Sequence, residues 1–405
     1  MPQSSGSRTL YIATAGSDSN TGTLAAPFKT LCKALSVSAS GTIINLRAGS
    51  YGKQLCSHKF FSPSNPVTIQ SYPGERAIFI GQTSYTNAVT LADITGIRIR
   101  NVTFAARTNV NLKLESVKHL EIDHIVSRDS GRSCDPSIPW PGCGGQGLLV
   151  GGYPITGWTN SWSEDVQVWN STFTNNGGTT PDLSGRPGEG GSFKHDHELY
   201  LGSCGSAYLG TAKCGVWGYV LANNVFVDNP TGLALQLGDA AHNGIVTNNT
   251  IDNTTTCQFS QAYTGAGIVL YSNNEPNASA GNLFVNNIIS NNCGPAFEGV
   301  TGRSLTGNVV RNNLGFHNSY SCTWYGCKTE WDCTYGSYST CTVGTNLSNA
   351  DPKYADATAT FGSLTKDLNL QTGSPALGKA EPAYAPPFDI NGTPRPSAPA
   401  LGAYQ

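Results

Sequence analysis

The densest chemistry in the chain is one run, Lys194-His195-Asp196-His197-Glu198-Leu199-Tyr200. It holds two of the seven histidines. Lysine, histidine and tyrosine can act as bases, and carboxylates can act as acid and base or hold a hard cation. Strand alternation that turns Leu199 and Leu201 inward turns Glu198 and Tyr200 outward. The same alternation in Leu233-Ala234-Leu235-Gln236-Leu237-Gly238-Asp239 exposes Gln236 and leaves Asp239 at the strand end. Tyr271 and Glu298 take the outward place in the next two segments. Glu198, Gln236, Tyr271 and Glu298 would then form a row, spaced about 4.8 Å per layer.

Three uses fit such a row. The first is β-elimination beside a carboxylate. Lys194, His195, His197 and Tyr200 are its candidate bases, and Arg128, Arg132 and Arg303 its candidate neutralisers. Asp196, Glu198 and Asp239 are the oxygen ligands that Ca²⁺ would take. The second is glycoside hydrolysis with inversion, by Asp239 paired with Glu198 or Asp196 about 6.5–9.5 Å away. The third is a glycan-binding protein without catalysis, in which the histidines only anchor a loop. Trp140, Trp158 and Trp162 offer indole faces for sugars or for packing the loops down.

These residues need a stiff support, and repeats supply it. Short apolar lines recur around Asn101, Asp123, Asn170, Asn224, Asn249, Asn287 and Asn313. Their separations are 22, 47, 54, 25, 38 and 26 residues. A period of 22–26 fits one coil of a parallel β-helix, three short strands joined by turns. The longer gaps are coils with insertions. Asparagine tolerates the left-handed backbone of a tight turn, and stacked amides can form a ladder. The insertions fall at about 130–146, 152–164, 177–197 and 203–217, flanking the same few coils, so they should wall a groove.

Composition narrows the class. The 405 residues include 47 Gly and 22 Pro but one Met, and 12% are charged, against about 25% in an average soluble protein. That excludes a helical bundle or coiled coil. The net charge is −2 without a basic run, which excludes a nucleic-acid footprint. No stretch of 18 apolar residues occurs, so no membrane span is expected. There are 12 cysteines and no CxxC motif, which favours disulfides in a secreted protein over zinc. Cys322, Cys327, Cys333 and Cys341 crowd one segment, read as a stapled loop. A leader would show a basic region and then an apolar stretch; residues 1–5 show neither.

The ends carry a resemblance. Tyr11-Ile12-Ala13-Thr14-Ala15-Gly16-Ser17-Asp18, then Ala26-Pro27-Phe28-Lys29-Thr30, then Arg47-Ala48-Gly49-Ser50-Tyr51, resemble the opening of secreted parallel β-helix proteins of the pectate-lyase-like superfamily. Gly373-Ser374-Pro375-Ala376-Leu377 and Asp389-Ile390-Asn391-Gly392-Thr393-Pro394-Arg395-Pro396 resemble a C-terminal module common on such proteins. The resemblance implies an all-β, right-handed parallel β-helix. It implies a carbohydrate-active activity, with lyases, hydrolases, epimerases and adhesins all on the same fold. The paired-Asp pattern of polygalacturonases and the Tyr-Gly-Phe-Asp-Pro-His pattern of mannuronan epimerases are absent, so no residue role is carried over.

The expected organisation is a β-helix over 8–350, with an N-terminal cap at 8–50 containing a helix that has Pro27 in its first turn. A C-terminal capping segment follows at 351–405. The expected activity is cleavage of a polysaccharide by a secreted monomer, a lyase ahead of an inverting hydrolase, with a glycan-binding adhesin as the non-enzymatic alternative. The expected catalytic residues are Lys194, His195, Asp196, His197, Glu198, Tyr200 and Asp239. Gln236, Tyr271, Glu298, Arg132, Arg303 and Trp140 are expected to bind substrate. No cofactor is assigned beyond the Ca²⁺ ligand set.

Overall fold

The structure is a computed structural model. It describes residues 8–81, 87–105, 110–131, 145–153, 155–177, 196–202, 213–229, 232–252, 265–272, 278–301, 305–318, 329–335, 338–339, 341–357 and 366–405.

Short parallel strands stack coil upon coil into a β-helix. One 19-stranded sheet forms two faces, and the long strands Val89–Arg100 and Val110–Asp123 run across both. A 9-stranded parallel sheet forms the third face. Apolar side chains at alternate positions fill the lumen in one continuous core from Leu10 to Cys333. Aromatic rings stack along its axis, Phe79 on Phe104 at 5.7 Å and Phe173 on Phe226 at 5.0 Å.

The chain turns its corners on single left-handed residues. Asn101, His124, Asn170, Asn223, Asn248, Asn286 and Asn312 stack in one column with φ between 48° and 62°. Asparagine, aspartate, histidine and glycine adopt this conformation at lowest cost. A second column, from His119 and Asp165 to Gly281 and Gly307, bends the middle face.

The residue after the corner points inward and builds the ladder. Asn224 Nδ2 donates to Asn249 Oδ1 (3.1 Å), and Asn249 to Asn287 (3.0 Å). Asn287 donates to Asn313 (2.9 Å), and Asn313 to Asn346 (3.0 Å). Each Oδ1 also accepts the backbone N–H of the coil before it. The anchors read from sequence therefore belong to three adjacent columns: Asn101 and Asn170 stand at the corner, Asn224 onward stand in the ladder, and Asp123 stands one place before the corner residue His124, where it accepts from Asn170 Nδ2 at 2.9 Å. Shorter ladders link Asn282 to Asn308 and Asn292 to Asn318, both at 2.9 Å.

The N-terminal helix is shorter than expected, Leu31–Ser36. Thr30 is its N-cap and accepts from Lys33 N, so Pro27 precedes the helix instead of opening it. Asp18 fixes the entry by accepting from the backbone of Lys29 and Thr30. Leu31, Ala34 and Leu35 cover the first coil, and the Cys32–Cys56 disulfide pins the helix to the strand Gln54–Phe60.

From residue 351 the chain lies along the flank of the rod. Leu368 and Ala403 pack on Val225 and Val227, and Ala376, Ala380 and Leu401 pack on Ile288 and Leu314. The corner asparagines receive it. Asn223, Asn248, Asn286 and Asn312 donate to the carbonyls of Phe388, Ala400, Glu381 and Lys379.

Candidate functional site

Register across the first face defines one outward row. It runs Leu55, Thr90, Lys113, Leu149, Tyr200, Gln236, Val269, Glu298 and Asp332. Tyr200, Gln236 and Glu298 thus face out as expected, in one line. Tyr271 pairs with Val300 and stands one row further along the strands. Lys194, His195, Arg132, Arg303 and Trp140 lie outside the described residues.

Glu198 does not face out. Its side chain is fully buried in the lumen and accepts from Asn176 Nδ2. The strand bends so that Glu198 and Leu199 both point inward, as do Ala234 and Leu235 on the next coil. Space for the carboxyl comes from small neighbours. Gly147 lies beside it on the preceding coil, where an added Cβ would meet Asn176 and Ser127. Ser127 in turn replaces a phenylalanine in the stack between Phe104 and Phe173. Burial pushes the Glu198 carboxyl well above the usual range, against the hydrogen bond from Asn176. Its Oε1 has no hydrogen-bond partner, which fits a protonated acid.

The remaining residues of the run gather around Tyr200. His197 faces out but is buried, with Nδ1 3.5 Å from Gln146 Nε2 and Nε2 bonded to Gln236 Oε1. Gln236 Oε1 can only accept, so Nε2 carries a proton in that contact. The His197 ring meets Tyr200 edge-on at 5.2 Å. The Tyr200 hydroxyl lies over Gly238, where any Cβ would collide with it. Burial first, then Asp239, Tyr153 and Tyr271, raise the Tyr200 hydroxyl pKa, so it is a donor and not a base at neutral pH. Asp196 is buried and accepts from Gly145 N (2.6 Å), anchoring the strand start.

With Glu198 inside and Asp196 holding backbone, the three carboxylates expected to bind Ca²⁺ do not converge. Among the described residues no group of three His, Cys, Asp or Glu side chains could hold a metal ion. The pairing of Glu198 with Asp239 across the groove fails for the same reason.

Two coils on, the face carries a pair of carboxyls. Glu298 and Asp332 sit side by side on adjacent coils, 7% and 5% exposed. Burial and the Asp332 charge raise Glu298 to about 7. Between this pair and Gln236 lies an apolar strip of Leu233, Ala266, Val269 and Val300, with Tyr271 against it. Asp332 was hidden in the cysteine-rich segment, whose Cys333–Cys341 disulfide begins at the next residue. Its signal was Trp331-Asp332, an inward-outward pair continuing Phe297-Glu298. Among the described residues of the outward row Lys113 is the one cation, and it is ion-paired to Glu115 at 2.8 Å.

Residues 14–61, the cap and first coil, match the model of a family described as a protein of unknown function, DUF1565. The uncharacterized protein YwoF of Bacillus subtilis (strain 168) is 34% identical over 73 residues. That match spans 18% of this chain and 16% of the length of that relative. Among solved structures, pectate lyase Pel9A is similar over 99% of this chain and 97% of its own, with TM-score 0.62 and 14% identity. A rhamnogalacturonan lyase is similar over 86% and 91%, with TM-score 0.51 and 15% identity. The chain therefore has the pectate-lyase-like parallel β-helix fold.

Proposed function

We propose that the chain is a secreted glycoside hydrolase that cleaves a polysaccharide lying along the first face. The observation that carries this reading is the outward pair Glu298 and Asp332 with Glu298 held near 7. A carboxyl still about half protonated at neutral pH can give its proton to the leaving glycosidic oxygen, while its neighbour attacks or activates water. Adjacent coils are about 4.8 Å apart, nearer the roughly 5–5.5 Å carboxyl spacing of retaining enzymes than the wider inverting one. Retention of anomeric configuration is the expected outcome. Tyr200, Gln236 and Tyr271 would line the sugar path, and the apolar strip would take the carbon faces of the rings.

Among the described residues of the row the cation Lys113 is ion-paired to Glu115, which favours hydrolysis over elimination, because elimination must neutralise a uronate. Disulfides at Cys32–Cys56 and Cys333–Cys341 support secretion, and no described helix is long and apolar enough to cross a membrane.

A panel of neutral and acidic polysaccharides, read for reducing ends and for absorbance near 235 nm, tests the proposal. Reducing ends without absorbance are expected, with activity falling as pH rises past about 7. Glu298→Gln and Asp332→Asn should each lose roughly 100-fold or more with the melting temperature kept. Rising absorbance would instead identify a lyase and remove the role given to the pair.

A further inference from the structure

A second cluster lies on the middle face, away from the carboxyl pair. Lys118, Glu164, Trp217 and His242 are in-register neighbours on four successive coils. Trp162 stands beside them, two residues before Glu164. The ammonium of Lys118 lies 3.7 Å from the centre of the Trp162 ring and that of Lys213 lies 4.2 Å from it. Lys213 is also 5.0 Å from the Trp217 ring. One carboxylate serves both: each ammonium is 3.7 Å from a Glu164 oxygen. That is beyond hydrogen-bond range, and Glu164 Oε2 is already taken by Trp162 Nε1 at 2.8 Å.

Two cations therefore share one carboxylate, leaving a net positive charge, and neither ammonium comes nearer to it than 3.7 Å. Their side chains are only 20% and 35% exposed. Partly desolvated ammoniums bind anions more strongly than freely hydrated ones. The rings hold them there by cation–π contact. Under the cluster, buried His242 stacks on Trp217 at 4.0 Å, and its Nε2 has no hydrogen-bond partner.

We infer that this cluster is a binding site for the anionic group of an acidic sugar, a carboxylate or a sulfate carried on a glycan. Lys118 and Lys213 would supply the charge-assisted hydrogen bonds, and the edges of Trp162 and Trp217 would meet the sugar ring. The site is separate from the hydrolytic pair, so it stands or falls independently of the function proposed for that pair.

Tryptophan fluorescence of the full chain, titrated with three probes, decides the matter. The probes are a galacturonate trimer, a sulfated disaccharide and a neutral galactose trimer. One or both acidic probes should change the fluorescence, and whichever binds identifies the anion; the neutral trimer should not. Lys118→Met combined with Lys213→Met should weaken acidic-probe binding by about tenfold or more. Lys213→Arg keeps the charge and should stay within about threefold of the parent. Equal binding of the neutral trimer, no response to either acidic probe, or undiminished affinity in the double variant at an unchanged melting temperature would overturn the inference.

Discussion

Glu198 and Glu298 are both glutamates in the second place of a short strand, yet one faces the lumen and the other the groove. Simple alternation put both outside. What it missed is the bend that turns two consecutive residues inward on each coil of the first face. Nothing in His197-Glu198-Leu199 marks that bend, because a buried carboxyl is read as exposed by default. Its marks lie elsewhere, in Gly147 and Ser127, the small residues that vacate the space. Burial raises Glu198, so its contribution to stability is complete below the unfolded value near 4.5. That contribution is lost as pH rises through the raised folded value. Glu198→Gln keeps the shape and accepts the Asn176 hydrogen bond without ever ionising. Urea unfolding should show the variant gaining on the parent as pH rises, with hydrolysis retained. Glu198→Ala should lose about 2–4 kcal/mol, from a cavity and an unpaired Asn176 donor. A Glu198→Gln protein that folds normally but is inactive would return Glu198 to the groove.

At the scale of the coil, the repeat was the most legible feature, since spacings of 22–26 residues leave few other folds. The physical reason is that every corner needs a residue able to hold positive φ, and every ladder rung needs an amide that both donates and accepts. Asparagine does both, so it writes the period into the sequence twice, at Asn223-Asn224, Asn248-Asn249, Asn286-Asn287 and Asn312-Asn313. The helix start was less legible, because Pro27 suits a first turn while the cap fell to Thr30 through its bond to Lys33 N. The ladder's weight can be measured. Asn249 Oδ1 accepts from Asn224 N and Nδ2, and its own Nδ2 donates to Leu221 O and Asn287 Oδ1. Asn249→Ala strands these buried partners and should cost about 2–4 kcal/mol by urea denaturation. Asn170→Ala, at a half-exposed corner, removes the left-handed preference and the part-exposed bonds to Asp123 and from Asn223 and should cost nearer 1 kcal/mol. Equal losses at the two positions would mean that corner conformation, not the ladder, carries the stability.

Over the whole molecule, the flank-lying C-terminal segment ties four coils lengthwise, and its charge pattern reveals how. Lys366 is almost fully buried between the segment and the rod's flank and reaches Asp228 at 2.6 Å and Asp252 at 2.9 Å, carboxylates from successive coils. Burial works against its charge, but Asp252 and Asp228 outweigh burial and hold the ammonium above its ordinary value. Sequence could not show this, because Lys366 stands more than a hundred residues from either partner and carries no motif. Removing the cation leaves two buried acids facing one another, a change worth roughly 3–5 kcal/mol in comparable sites. Lys366→Ala should therefore lower stability by that order and open the segment to proteases before the coils unfold. Asp228→Asn and Asp252→Asn added to Lys366→Met should recover most of the loss, since neither acid then needs a cation. The proposed hydrolytic pair lies on another face, so activity below the melting transition should survive the single change. A collapse of activity while the coils stay folded would show that the flank and the groove are coupled through the rod.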